Sequence, residues 1–230
     1  MSKLDDDLSE IEAFVRDLRF LSGIGLSEHN RQLFRSAYKQ FHALLVWGEV
    51  AEAQVGGLLP LKTYFRETLS DISHGFVMTL LHFYKPARLS MRSGVENLIR
   101  SLLLIRGVDA TGIHAVHELF NRGKSHFSAE AAIANKVIQL EQIYGDLCKT
   151  VHSAKIDYMS LTVPFERLSI FQTTRYTSNM IILRNVSSAA NQAVFGLWYA
   201  ELKKAGHVNE DLVRDAVPRT LKRAVHASLI

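Results

Sequence analysis

His152 closes the stretch YGDLCKTVHSA at residues 144–154. An imidazole, ordinarily titrating at about 6.5, is the side chain best suited to moving a proton near neutral pH. Upstream, Arg88, Arg92, Glu96 and Arg100 follow one another four residues apart. On a helix that spacing makes one polar ridge. If the ridge faces water, its Arg92–Glu96 pair contributes only about 0.5 kcal/mol. If the helix is central in a bundle, the guanidinium and carboxylate groups need partners, and His152 is a candidate partner. A second charged group, Arg219, Lys222 and Arg223 in RTLKRAVH, is a candidate nucleic-acid contact.

Other chemistry-bearing residues are less promising. The lone cysteine, Cys148, lies with Tyr144, Leu147 and Val151 on one helical stripe, where a thiol acts as a small core residue rather than a nucleophile. His114 and His117 are one turn apart, but no third ligand accompanies them, so neither a metal nor a cofactor is expected. The glycines at 23–25 and 56–57 follow no strand and precede no lysine and hydroxyl at phosphate-loop offsets. They punctuate helices.

The elements that must position these groups are helices. Apolar residues recur at helical spacing almost throughout, and period-two alternation is nearly absent. Leu4, Leu8, Ile11, Val15 and Leu18 mark a first helix. Ser27 is an N-cap candidate for a second, from about Glu28 towards Val55. A third spans about Leu61 to Tyr84, and a fourth has Pro86 in its first turn and a stop at Gly107. Its LIRSLLLI half is apolar enough to be central. After a short helix in IHAVHELF and a loop in NRGKSHF, Ser128 is expected to cap the helix that ends at His152. Residues 155–175 read as irregular. A long helix from about Thr177 to Ala205 and a last one from Asn209 onward complete the chain, with Pro218 kinking or breaking the latter.

The chain is therefore expected to be all-α, an antiparallel bundle in one domain over 1–230, with a core at about 28–205 and the helix at 209–230 either part of it or appended. A hydrophobic fraction of 47% in 230 residues is enough to close one core without staples. A single cysteine excludes an internal disulfide. The acidic start MSKLDDDLSEIEAF lacks the basic residues and apolar run of a signal peptide, and no stretch of about 18 residues is apolar throughout, so a cytoplasmic chain without membrane spans is expected. A net charge of +4 is compatible with nucleic acid but falls well short of a polybasic tail.

FYKPARLSMRSGVENLIRSLLLIRG, followed about 50 residues later by YGDLCKTVHSA, resembles the HEPN superfamily, in particular its abortive-infection-like branch. There an R-x3-E helix precedes a helix ending Y-x2-L-x3-V-H. The likeness spans roughly residues 61–154. It implies a HEPN-like helical bundle that commonly dimerises and serves bacterial toxin or phage-defence systems. Catalytic members are metal-independent ribonucleases in which an arginine, separated from a histidine by four to six intervening residues, meets it at the dimer cleft. A histidine suits proton transfer there, and a guanidinium suits a phosphate gaining charge. This chain departs from the pattern: Gly145, Asp146 and Leu147 occupy the arginine positions before His152, and Lys149 offers charge without the bidentate fork. The spacing recurs at Arg35–His42 and Arg219–His226, about as often as chance gives.

Two readings follow. In one, the protein is a HEPN-like effector that cleaves RNA, with His152 as general base or acid, Arg92 as phosphate clamp and Glu96 orienting Arg92. In the other, it is a non-catalytic module that dimerises or docks on a partner protein of a defence system, and the same three residues are a buried network fixing helix register.

Overall fold

The computed structural model describes residue 9 and residues 27–53, 59–152 and 171–227; the side chains of Val151 and His152 lie outside the described set. Apart from Ser9, the first expected helix falls outside it, as does the expected irregular stretch up to residue 170; the last residues of that stretch, 173–175, are the first turn of a helix rather than irregular. Eight helices make up the described residues: α1 (Glu28–Ala53), α2 (Leu59–Leu80), α3 (Tyr84–Ile105), α4 (Val116–His126), α5 (Ala131–His152), α6 (Thr173–Lys204), α7 (His207–Ala216) and α8 (Arg219–Ala227). No strand occurs among these residues, and the all-α bundle expected from the sequence is what the chain forms. None of the helices among the described residues is long and apolar enough to cross a membrane.

Local chemistry sets the helix ends. Ser27 caps α1, its Oγ accepting from the Asn30 N–H at 3.3 Å. At the end of α3, the N–H of Val108 donates to Leu103 O and that of Gly107 to Leu104 O, the paired bonds of a Schellman turn. Its left-handed residue is Gly107, at φ +71°, which a Cβ would oppose. Pro86 sits in the first turn of α3, where its missing N–H has no acceptor to lose. Pro218 breaks the last segment into α7 and α8 by pushing Val217 to an extended conformation.

Two further expectations are corrected. NRGKSH is the second half of α4 rather than a loop. Gly123 is buried there, leaving room for Val137 and Ile99, and Lys124 pairs with Glu141 of α5 at 2.9 Å; this packing overrides weak propensity. Ser128 does not cap α5. Helix α5 begins at Ala131, with Glu130 O accepting the first N–H bonds, because Phe127 is fully buried and residues 127–129 form a turn.

Helices α2 and α3 form an antiparallel hairpin closed at His82, which takes the left-handed φ of +64°. The two helices approach closely at Gly75 and Gly94, where an added Cβ would fall 2.6 Å from Met91 Cγ and 2.8 Å from Ile72 Cδ1. Helix α1 runs antiparallel to α2, with Glu52 paired to Arg66. It runs parallel to α6: Thr177 donates to Asn30 Oδ1, and farther along both helices Asn191 Nδ2 donates to Gln40 O at 2.7 Å. Helix α5 crosses back antiparallel to α3, bringing residues 144 and 150 opposite 92 and 88. Leu98, Ile99, Leu102 and Leu103 are all fully buried, so LIRSLLLI is central as expected. Each such side chain contributes about 1.5–3 kcal/mol as an upper figure. Helix α6 is fully buried at Leu183 and Val186 and at the small residues Ala189, Ala190 and Ala193.

Candidate functional site

The ridge of α3 is partly buried along its length, facing α5, α6 and the loop before α4 rather than open water. Its four members do different things. Arg88 donates from Nε to Asn179 Oδ1 at 2.9 Å, from one terminal nitrogen to Thr150 Oγ1 at 2.7 Å and from the other to Ser178 Oγ at 2.7 Å. It is a cross-brace joining α3, α5 and α6. All three acceptors are neutral. Burial lowers its guanidinium from the ordinary value, the nearby Arg175 acts the same way, and Asp146 opposes them.

Arg92, one turn along, has a different environment. Its Nε donates to the Tyr144 hydroxyl at 2.9 Å, and that hydroxyl donates in turn to Glu96 Oε1 at 2.9 Å. A terminal nitrogen of Arg92 lies 3.6 Å from the same carboxylate oxygen, and the guanidinium carbon lies 5.2 Å from the centre of the Tyr144 ring. The Arg92 and Glu96 side chains keep 26% and 21% of their exposure, so the group is held yet reachable from solvent. Burial holds the Tyr144 phenol well above its ordinary range; Arg92 opposes this, while Glu96 and the Cys148 thiol add to it. The phenol is therefore a neutral bridge at any ordinary pH. Farther along, Arg100 donates to Ile113 O at 3.0 Å and lies over the ring of Tyr64.

The sequence reading thus named two of the three residues in this cluster. It took Tyr144 only as core, whereas the ring packs on Phe120 and the hydroxyl joins Arg92 to Glu96. The available signal was the phenol itself, since a tyrosine on a stripe brings a polar tip that needs a partner when buried. Cys148 is partly exposed rather than core, while Leu147 is fully buried. Helix α5 extends to His152, eight residues and about 12 Å of rise beyond Tyr144. The His152 side chain lies outside the described residues, so its approach to Arg92 does too. Lys149, the substitute cation in that turn, forms an ion pair with Asp146 at 2.6 Å.

The remaining candidates separate. His114 lies in the loop before α4 and His117 in its first turn, both exposed, with no third ligand gathered about them among the described residues. Arg35 is exposed, and His42 stacks on Tyr38. A cavity of about 460 Å³ between α1 and α2 is lined by residues that include Leu45, Phe65 and Leu69, and no ridge residue borders it.

A second polar cluster, absent from the sequence reading as a unit, lies where α6, α7 and α8 meet. Trp198 leaves helical geometry, with φ −127° and ψ 18°, and kinks α6 just before Tyr199. The Tyr199 hydroxyl donates to Glu210 at 2.9 Å and lies 3.3 Å from His226 Nε2. Arg214 donates to the same Glu210 oxygen at 3.2 Å, and the Lys203 ammonium lies over the Tyr199 ring. Burial raises the Glu210 carboxyl, but the bonds from Tyr199 and Arg214 outweigh it and hold the group below its ordinary value. On α8, Arg219 and Arg223 are exposed and Lys222 partly so.

No known family model, no curated protein and no solved structure matches this chain.

Proposed function

We propose that the chain is a HEPN-like effector of a bacterial phage-defence or toxin system that cleaves RNA without a metal, using the face shared by α3 and α5. The observation that carries this reading is the set of contacts made by Arg92. Its Nε is held by Tyr144, Glu96 lies behind it, and a quarter of the side chain stays open to solvent. A guanidinium fixed on one edge is pre-organised to receive a phosphate on the other, which is what a clamp for a charge-gaining phosphoryl group requires. Further support is that the two helices carrying the quoted motifs pack antiparallel and touch through motif residues.

In this reading Arg92 binds the non-bridging phosphate oxygens. His152, at the end of α5, takes the 2′-OH proton as that oxygen attacks the neighbouring phosphorus. The 5′-oxygen departs and accepts a proton, leaving a 2′,3′-cyclic phosphate. Glu96 and Tyr144 position Arg92 and touch no substrate. Pairing of two copies would set two such faces at one cleft.

The test is cleavage of single-stranded RNA in the presence of a chelator. His152→Ala should lower the rate by about 10²–10⁴ at unchanged melting temperature. Arg92→Lys, which keeps the charge and loses the fork, should cost at least about tenfold. Cleavage by His152→Ala at the wild-type rate would remove the histidine from the mechanism.

A second reading, a non-catalytic dimerisation or partner-docking module, draws on a different observation. The hydrogen bonds among Arg92, Tyr144 and Glu96 are already closed within the protein, and Asp146 stands among the positions where catalytic HEPN proteins carry arginine. Under it, the wild-type protein leaves RNA intact and His152→Ala lowers only thermal stability.

A further inference from the structure

Helix α8 is built as a one-sided basic rod. Arg219, Lys222, Arg223 and His226 stand at i, i+3, i+4 and i+7, an arc of about 100° on the helix. Val225, buried, and Leu221, partly buried against the core, occupy the neighbouring arc. The helix has no acidic residue of its own. Glu210 is engaged by Tyr199 and Arg214, and Asp211 and Asp215 of α7 form no ion pair with α8 among the described residues. His226, on the same arc, lies edge-on to Tyr199 with ring centres 5.1 Å apart and ties the rod to the bundle, while Arg219 and Arg223 remain exposed and Lys222 partly exposed.

We infer that α8 is a sequence-independent binding element for the phosphodiester backbone of single-stranded RNA. Large exposed apolar residues occur on other helices and not on α8, so a lipid surface would gain no insertion from it and a protein partner no apolar centre for an interface. No aromatic ring stands on its exposed side to stack on bases, which leaves the backbone as the feature it can read. The stripe is about 10 Å long, and a strand carrying one charge per about 3.4 Å presents about three phosphates over that length. The inference adds a holding surface to the proposed RNA-cleaving activity, and it is tested separately from that activity.

Binding is measured by fluorescence anisotropy on labelled oligouridine of about 12 nucleotides, with chelator, on the His152→Ala protein so that cleavage plays no part. With three cations engaged, log K should fall against log salt with a slope of about −2, roughly a 16-fold loss between about 50 and 200 mM salt. The triple variant Arg219→Ala, Lys222→Ala, Arg223→Ala should make the slope shallower by about 2 at an unchanged melting temperature, whatever Arg92 contributes. The double variant Arg219→Lys, Arg223→Lys should keep it. An unaltered slope in the triple variant would overturn the inference, as would no binding at low salt. Competition by polyglutamate as effective as that by unlabelled RNA would also overturn it, since the surface would then be one for acidic protein.

Discussion

Two tyrosines each sit at the centre of a polar cluster, and the two clusters are wired in opposite order. At Tyr144 the arginine binds the phenol and the phenol binds the carboxylate; at Tyr199 the phenol and the arginine both bind the carboxylate. The first arrangement leaves Arg92 hydrogen-bonded by one edge, with only a loose one-turn ion pair to Glu96 at 3.6 Å; the second engages Arg214 in a closer one-turn pair at 3.2 Å. They also differ in reach. Arg92 and Tyr144 are 52 residues apart, whereas Tyr199 is 11 residues from Glu210. Closing the longer loop costs about 1.4 kcal/mol more in chain entropy. The C-terminal cluster can thus form as a local fold-back, while the ridge cluster depends on the assembled bundle and in turn reports on its register.

The largest test of that contrast is Arg88→Ala. It strips a partly buried guanidinium from three acceptors on two other helices, and a loss of about 2–4 kcal/mol in urea unfolding is expected. A loss under about 0.5 kcal/mol would show that α3, α5 and α6 are not braced there. Next comes Tyr144→Phe, expected to cost about 1–2 kcal/mol because Arg92 and Glu96 are left 3.6 Å apart without their bridge. Tyr199→Phe should cost about 1 kcal/mol, since Glu210 keeps Arg214. Equal values in both variants would erase the difference in wiring.

The smallest effect is a pH dependence. Glu210 has a lowered folded pKa, so its contribution is present above the unfolded carboxyl value of about 4.3 and is lost as pH falls through the folded value. Melting curves of wild type and Glu210→Gln should differ at pH 6 or so and draw together as pH falls from the unfolded carboxyl value through the lowered folded one.

Much of this architecture can be read from the sequence because it is locally encoded. The Ser27 cap, the stop at Gly107 and the break at Pro218 are each set by one residue's backbone or side-chain chemistry, and the burial of Leu98 through Leu103 by helical spacing. The misreadings at Ser128 and NRGKSH have one cause: Phe127 and Gly123 take their places from contacts with other helices, which no local rule expresses. In the ridge, the four-residue spacing revealed Arg92 and Glu96, but their meeting at Tyr144 depends on the crossing of α5. The Tyr199 cluster left no motif, because the kink at Trp198 and the break at Pro218 together aim three separate helices at one phenol. His152, where the sequence points most directly to chemistry, lies at the edge of the described structure.

The parallel pairing of α1 with α6 also bears on how the chain is made. The bonds joining them bridge 147 and 151 residues, so α1 leaves the ribosome long before its partner exists. At about 5–20 residues per second, the side of α1 that meets α6 waits about 7 to 30 s for its partner, while Phe34 and Phe41 can pack on Phe76 of α2 sooner. During synthesis that side is a ready site for a chaperone. Truncated chains ending before α6 should accordingly aggregate or be held by one, while the full chain closes over the same residues.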